Sequence, residues 1–346
     1  MTVRHSERVL AIVCPGQGSQ TPGFLAPWLE LPGVEDRVRV LSDAAGTDLV
    51  AHGTTSDADT IRDTAVAQPL IVAASLVAFR ALGDDVAGGV DVTAGHSVGE
   101  LAAAAVAGVL DDAGAVGLVA HRARAMARAA ALTPSGMSAV VGGDPDEVLA
   151  RIAAAGLHPA NVNGGGQVVA AGDLDALAAL AAEPPARARV IPLQVAGAFH
   201  TPFMQTAADA FADVARTWPA QDPRVAFLSD ADGEPYAPAD DAPHGRAADV
   251  LARLAAQVVA PVRWDLVQAT LLRLGVTGLV ELAPAGVLTG LARRSLPGVE
   301  TVAVKSPADL DAARELAARH TSHAAPTPAR TSSDGRPAGT AQEAPE

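Results

Sequence analysis

The chain reads as an α/β protein in which a larger domain of alternating strands and helices is interrupted by a small ferredoxin-like one. Three observations predict this. Hydrophobic residues make up 49% of the sequence and aromatics only 3%, so alanine supplies much of the apolar content, which suits helices packed closely on strands. Apolar runs of strand length alternate with stretches of helical period. Between Met137 and Val195 the order becomes β-α-β-β-α-β, the pattern of a ferredoxin-like unit. At 346 residues the chain is long enough to bury one full core and a small satellite.

The elements follow in order. Val9-Leu10-Ala11-Ile12-Val13 predicts a buried first strand ending at Cys14, and the glycine-rich loop Pro15-Gly16-Gln17-Gly18-Ser19-Gln20 comes next. From Leu25 to Leu82 the period is helical, broken near Pro32-Gly33 and Gly53. Gln68-Pro69 is expected to open the last of these helices, with Leu70, Ala73, Ala74 and Val77 on one face. Val90 and Val92 predict a strand, and helices are expected over 98–110 and 112–132. In the insertion, strands are expected at 137–141, 159–162, 167–170 and 188–195, with helices at 144–155 and 173–182. The larger domain then resumes with a helix at 204–217, a strand at 224–228 and a polar loop at 231–244. Helices at 247–259 and 266–274, a strand at 278–282 and a helix after Gly286 complete it. The expected division is 8–135 with 203–319 for the larger domain and 136–202 for the insertion. Residues 320–346 hold no large apolar side chain to offset the entropy of ordering, so a disordered tail is expected.

Composition excludes several classes. A net charge of −14 argues against binding to nucleic acid or to an anionic membrane. Cys14 is the single cysteine, which rules out an internal disulfide and a cysteine-based zinc site. The first nine residues are polar and charged, with no apolar segment of a secretory signal. No stretch is expected to be apolar enough to span a bilayer, and a cytoplasmic location is expected.

Chemistry concentrates in three places. Ala94-Gly95-His96-Ser97-Val98-Gly99-Glu100 sets a serine between glycines at a strand-to-helix turn. Such a turn exposes the side-chain oxygen, and the helix N-terminus puts positive partial charge near it. Ser97 is therefore a candidate nucleophile; the bland alternative is a packing turn in a chain rich in small residues. The candidate base is His200 in Gly197-Ala198-Phe199-His200-Thr201-Pro202, at a strand end before a proline break. His96 is the rival, but neighbouring side chains on a strand point to opposite faces, so a structural role is expected for it. On the 112–132 helix, Ala115, Leu118, Val119, Met126 and Ala129 form an apolar stripe that contains Arg122, while His121, Arg124 and Arg128 lie opposite. A guanidinium there needs an anion: an internal acid such as Glu100 or an Asp, or the carboxylate of a substrate. Backbone N–H groups of Gly16-Gln17-Gly18, with that of Val98, could form an oxyanion hole; the loop lacks the lysine and spacing of a phosphate-binding P-loop.

Together these motifs resemble the malonyl-CoA:acyl carrier protein transacylase family, the discrete acyltransferases of bacterial type II fatty-acid synthesis. They are also similar to the acyltransferase domains of modular polyketide synthases. The resemblance runs from about Val9 to Leu316, through the 15–20 loop, Gln68-Pro69, 95–100, Arg122 with Met126, Asn161-Val162-Asn163, Gly197 to His200, Gln257 with 261–264, and 287–291. It departs from the family pattern at Ala123 and at Ala283-Pro284-Ala285-Gly286.

The resemblance implies an α/β-hydrolase-like large domain carrying the ferredoxin-like insertion. It implies Ser97 as the acylated nucleophile, His200 as its base, and Arg122 as the grip on the malonyl carboxylate. Gln17 and Val98 would supply the oxyanion hole, Gln257 would orient His200 through its main-chain carbonyl, and Asn163 would lie near the acyl pocket. Phe199 beside the base implies malonyl rather than a branched acyl group. No cofactor is implied: malonyl-CoA is a substrate, and the phosphopantetheine belongs to the partner, an acidic acyl carrier protein. Arg187, Arg189, Arg293 and Arg294 are candidates for docking that carrier, and the protein is expected to be a monomer. The competing readings are a serine hydrolase or thioesterase on a similar fold and an idle carrier-binding scaffold; no acidic triad partner stands out between Ser97 and His200.

Overall fold

The apolar runs become strands, here numbered along the chain: β1 (Leu10–Cys14), β2 (Val92–Gly95), β3 (Gly136–Gly142), β4 (His158–Gly164), β5 (Gln167–Gly172), β6 (Ala188–Pro192), β7 (Ala226–Leu228), β8 (Pro235–Tyr236), β9 (Gly278–Glu281) and β10 (Glu300–Ala303). The computed structural model describes residues 8–236 and 246–321. The first seven residues, the rest of the expected 231–244 loop and the tail from 322 lie outside them.

Six strands form one sheet in the order β10-β9-β1-β2-β7-β8, parallel except for β8. β1 is central and buried over all five residues, as a run without polar alternation requires when helices cover both faces. The other four strands form an antiparallel sheet, β4-β5-β3-β6. With the helices Pro145–Ala154 and Leu174–Ala182 it makes the ferredoxin-like unit. Asp144 and Asp173 cap those helices by accepting backbone N–H groups of their first turns. The fold is α/β-hydrolase-like with this small sheet inserted, so the expected class holds.

The Asp112–Ala130 helix buries Ala115, Leu118, Val119, Met126 and Ala129, with Arg122 among them. It packs against Thr64–Leu82. That helix begins five residues before Pro69, so Gln68-Pro69 does not open it. Asp63 does, accepting the Ala65 N–H. Pro69 removes one hydrogen bond, to the Ala65 carbonyl, and the surrounding core holds the helix together. The same helix corrects a second expectation: by length and composition it could cross a bilayer. Here it is a core helix, with 78% of its most apolar stretch buried in protein.

Other differences are local. The expected 188–195 strand stops at Pro192, after which Leu193 and Val195 turn toward the interface of the two sheets. β8 has two residues and β10 is half-exposed, so neither shows a strand pattern in sequence. The Leu310–His320 helix closes the larger domain.

What fixes the site is backbone-to-backbone contact at the ends of β1 and β2. Their register sets Cys14 beside Gly95. A Cβ on Gly95 would lie 2.0 Å from the Gly99 carbonyl carbon, and one on Gly99 would lie 2.2 Å from the Cys14 oxygen. Gly95→Ala should therefore destabilise the protein by more than about 3 kcal/mol, read as a urea midpoint. Gly290→Ala is the control: nothing lies within 4 Å of its Cβ, inside the Val287–Ser295 helix. It should stabilise by about 0.5–1 kcal/mol.

Candidate active site

Ser97 follows β2 at the start of the Gly99–Val106 helix, with a left-handed φ of 52°. That conformation turns its side chain out of the strand line, a feature of nucleophile turns. Ser97 Oγ lies 2.7 Å from His200 Nε2 and 3.2 Å from Arg122 Nη2, which donates to it. His200 itself has φ 61° and is buried. Its Nδ1 lies 3.2 Å from the main-chain carbonyl of Gln257, the residue that ends the Ala247–Ala256 helix. A proton donated from Nδ1 to that carbonyl leaves Nε2 as the acceptor facing the serine hydroxyl. Burial, and then the charge of Arg122, lower the His200 pKa to about 3. The imidazole is thus neutral and able to accept a proton at neutral pH.

Arg122 is 1% exposed. Its partners are neutral: Gln68 Oε1 at 2.8 Å, Gln257 Oε1 at 3.2 Å and Ser97 Oγ. No acidic side chain forms an ion pair with it among the described residues; Glu100 and Asp230 act on it only through longer-range charge. Burial lowers its pKa to about 10, which leaves it protonated. A buried cation held by amides and lacking a counter-ion is a receptor for an anion.

Gln17 and Val98 lie at the glycine loop and the serine turn, which meet closely. Gly16 packs so tightly on the serine turn that its Cβ would meet the His96 oxygen at 2.8 Å. Both residues line the cavity over Ser97. Neither backbone N–H donates to a protein acceptor among the described residues, leaving two donors for a developing oxyanion. The cavity measures about 100 Å³, and Met126, Met137, Leu193, Val195 and Phe199 give it apolar walls.

Asn163 stands one residue back from its expected place. Its Oδ1 accepts from His96 Nε2 at 2.9 Å, and its Nδ2 donates to Gln167 Oε1 at 2.9 Å. Asn161 is the asparagine on the cavity wall. His96 is not the base, yet it also lines the cavity rather than pointing away. Two residues escaped the sequence reading. Gln68 was visible as a motif but had no role, and it anchors Arg122. Asp230 accepts the Ser97 N–H at 2.5 Å; its only sequence signal is its place just beyond β7.

The fold that carries this cavity places the protein among the acyltransferases. The chain belongs to the acyl transferase domain family, which it matches over residues 11–308. It is 52% identical over 305 residues to the malonyl CoA-acyl carrier protein transacylase of Mycobacterium tuberculosis, covering 88% of this chain and 98% of that protein. It is 34% identical to the protein of that name from Escherichia coli, covering 88% and 99%. Among solved structures, MCAT from Mycobacterium tuberculosis superposes with a TM-score of 0.84 at 52% identity, covering 89% of this chain and 99% of that one. The malonyl-CoA:acyl carrier protein transacylase of Helicobacter pylori gives 0.82 at 28% identity, covering 91% and 100%.

The lowered pKa of His200 sets an expectation for acid. The base form persists until the pH approaches about 3, so a reaction with His200 as base should not slow as the pH is lowered from about 7 to 5. A loss of rate on acidification with a midpoint near about 6.5, the ordinary histidine value, would contradict this assignment.

Proposed function

We propose that this protein transfers a malonyl group from malonyl-CoA to the phosphopantetheine thiol of an acyl carrier protein, in the cytoplasm, through a malonyl ester on Ser97. The observation that carries this reading is the buried guanidinium of Arg122, which has no ion-pair partner among the described residues and lies 3.2 Å from the serine oxygen. An acyl group attached at that oxygen and ending in a carboxylate would bring its charge to the cation. An acetyl group would leave the cation desolvated and unpaired.

The chemistry is two acyl transfers. His200 takes the Ser97 proton as the oxygen attacks the thioester carbonyl, and the N–H groups of Gln17 and Val98 stabilise the resulting oxyanion. His200 then protonates the departing CoA thiolate. The carrier thiol repeats the steps in reverse order, which gives ping-pong kinetics. The larger domain, 8–135 with 203–319, brings Ser97, Arg122 and Gln257. The insertion, 136–202, brings His200 with the wall residues Phe199 and Leu193. Phe199, 6% exposed, crowds the position of an α-branch.

A surface for the carrier gathers at one end of the small sheet. Arg187 and Arg189 flank the start of β6, and Arg293 and Arg294 lie near the end of the Val287–Ser295 helix; all four are exposed. The ends meet: Gly142 N–H donates to Gly166 at 2.9 Å. A Cβ on Gly142 would touch the Arg187 oxygen, and one on Gly165 would touch Arg294 Nε. Basic side chains collected on a chain of net charge −14 suit an acidic partner.

Two measurements test the reading. Arg122→Ala should lower kcat/KM for malonyl-CoA by about 100-fold or more, about 3 kcal/mol, while sparing acetyl-CoA; an equal loss for both donors removes the carboxylate grip. Charge reversal at Arg187, Arg189, Arg293 and Arg294 should raise KM for the carrier and leave malonyl-CoA kinetics in place. Parallel changes in both would show that the patch is wrongly assigned.

A further inference from the structure

Two carboxyl groups lie buried beneath the serine turn, and the transfer chemistry uses neither. Glu100 is 1% exposed, in the first turn of the Gly99–Val106 helix, and Asp230 is 0% exposed, just after β7. They form a ladder under the nucleophile. Glu100 Oε1 accepts the Asp230 N–H at 2.8 Å, and Asp230 Oδ2 accepts the Ser97 N–H at 2.5 Å. The charge of Asp230 bears on Glu100, and Asp230 Oδ1 has no hydrogen-bond partner among the described residues. Neither carboxyl has a salt bridge among the described residues. Arg122 acts on both from the Asp112–Ala130 helix. Arg253, from the Ala247–Ala256 helix, acts on Asp230 while ion-paired to Asp232 and bonded to the Tyr236 hydroxyl. Tyr236 on β8 and the Ser229 hydroxyl face Glu100.

We propose that Glu100 and Asp230 share one proton and act as a pair that holds the main chain of Ser97 in its left-handed conformation, which makes Asp230 a positioning residue for the nucleophile. Two adjacent carboxylates without water cannot both ionise at low cost. One proton between them leaves a single negative charge, which balances Arg122 at long range without pairing with it. The guanidinium then stays available to an incoming anion. Burial agrees with this arrangement: it raises Asp230 to about 7 and Glu100 well above the usual carboxylate range. As pH rises past that value the second charge appears, and the support under Ser97 becomes repulsive.

The inference rests on Ser97 being the acylated residue, so the test has two independent arms. Asp230→Asn keeps an oxygen for the Ser97 N–H, offers an N–H toward Glu100 and cannot ionise. Asp230→Ala removes the support. With malonyl-CoA as donor, acyl-enzyme formation is followed by intact-protein mass in single turnovers between about pH 5 and 9. The Asn variant should acylate at least about tenfold faster than the Ala variant, and should lack the alkaline decline of the parent. The second arm is thermal unfolding. A carboxyl whose folded pKa is raised binds extra protons in the folded state, so the parent should lose stability relative to Asp230→Asn as pH rises from about 4 to 8. Asn as slow as Ala, or parent and Asn with superimposable pH profiles in both rate and melting, overturns the pair. If no adduct forms on Ser97, the serine assignment fails instead, and the melting comparison still decides the carboxyl pair.

Discussion

The site depends on one buried cation. A guanidinium taken out of water without an ionised partner carries a desolvation penalty of several kcal/mol, and Arg122 is in that position. Three neutral oxygens, from Gln68, Gln257 and Ser97, satisfy part of its hydrogen-bonding capacity. The charges of Glu100 and Asp230 offset more of the penalty from a distance. What is left over is an attraction for a negative charge, focused on a cavity of about 100 Å³ next to Ser97. The same cation also reaches His200, whose basicity is lowered first by burial and then by the charge of Arg122.

The second constraint is steric. The nucleophile turn, the end of β1 and the glycine loop meet backbone to backbone, with no room for side chains at Gly16, Gly95 and Gly99. This closeness sets Gln17 and Val98 on the wall of the same cavity as Ser97. Two non-glycine residues of the site, Ser97 and His200, lie in the left-handed region. Each costs on the order of 1 kcal/mol or more, and the surrounding hydrogen bonds over-determine the shape: Ser97 N–H to Asp230, and His200 Nδ1 at the Gln257 carbonyl. The small sheet closes the cavity from the other side, so the pocket exists only where the two units touch.

Ser97, His200 and Arg122 were legible in the chain because each breaks a local pattern. A serine framed by glycines interrupts a strand-to-helix junction, a histidine ends an apolar segment, and an arginine sits in an apolar stripe. Asp230 breaks no pattern: it lies in the polar run Ser229-Asp230-Ala231-Asp232, and only burial by elements distant in sequence makes it unusual. Gln68 and Asn163 fall in the same class, since an amide looks alike in sequence whether it meets water or a guanidinium. The long helix from Thr64 was misjudged at its start because a proline is a strong local signal, while a core that tolerates one missing hydrogen bond is not visible locally.

Periodicity and turn chemistry alone determined the alternation of strands and helices, the ferredoxin-like insertion and the identity of the reactive groups. These are properties of neighbours in the chain, set by dihedral preferences and by which face is apolar. Tertiary structure decided whether Arg122 would be neutralised by an internal acid or left open, which asparagine would reach the cavity, and where the buried carboxyls would meet. Those outcomes depend on distances between residues tens of positions apart or more, as far as the 133 that separate Ser97 and Asp230. Electrostatic energy in a dry interior varies steeply with such distances, and no local pattern encodes them.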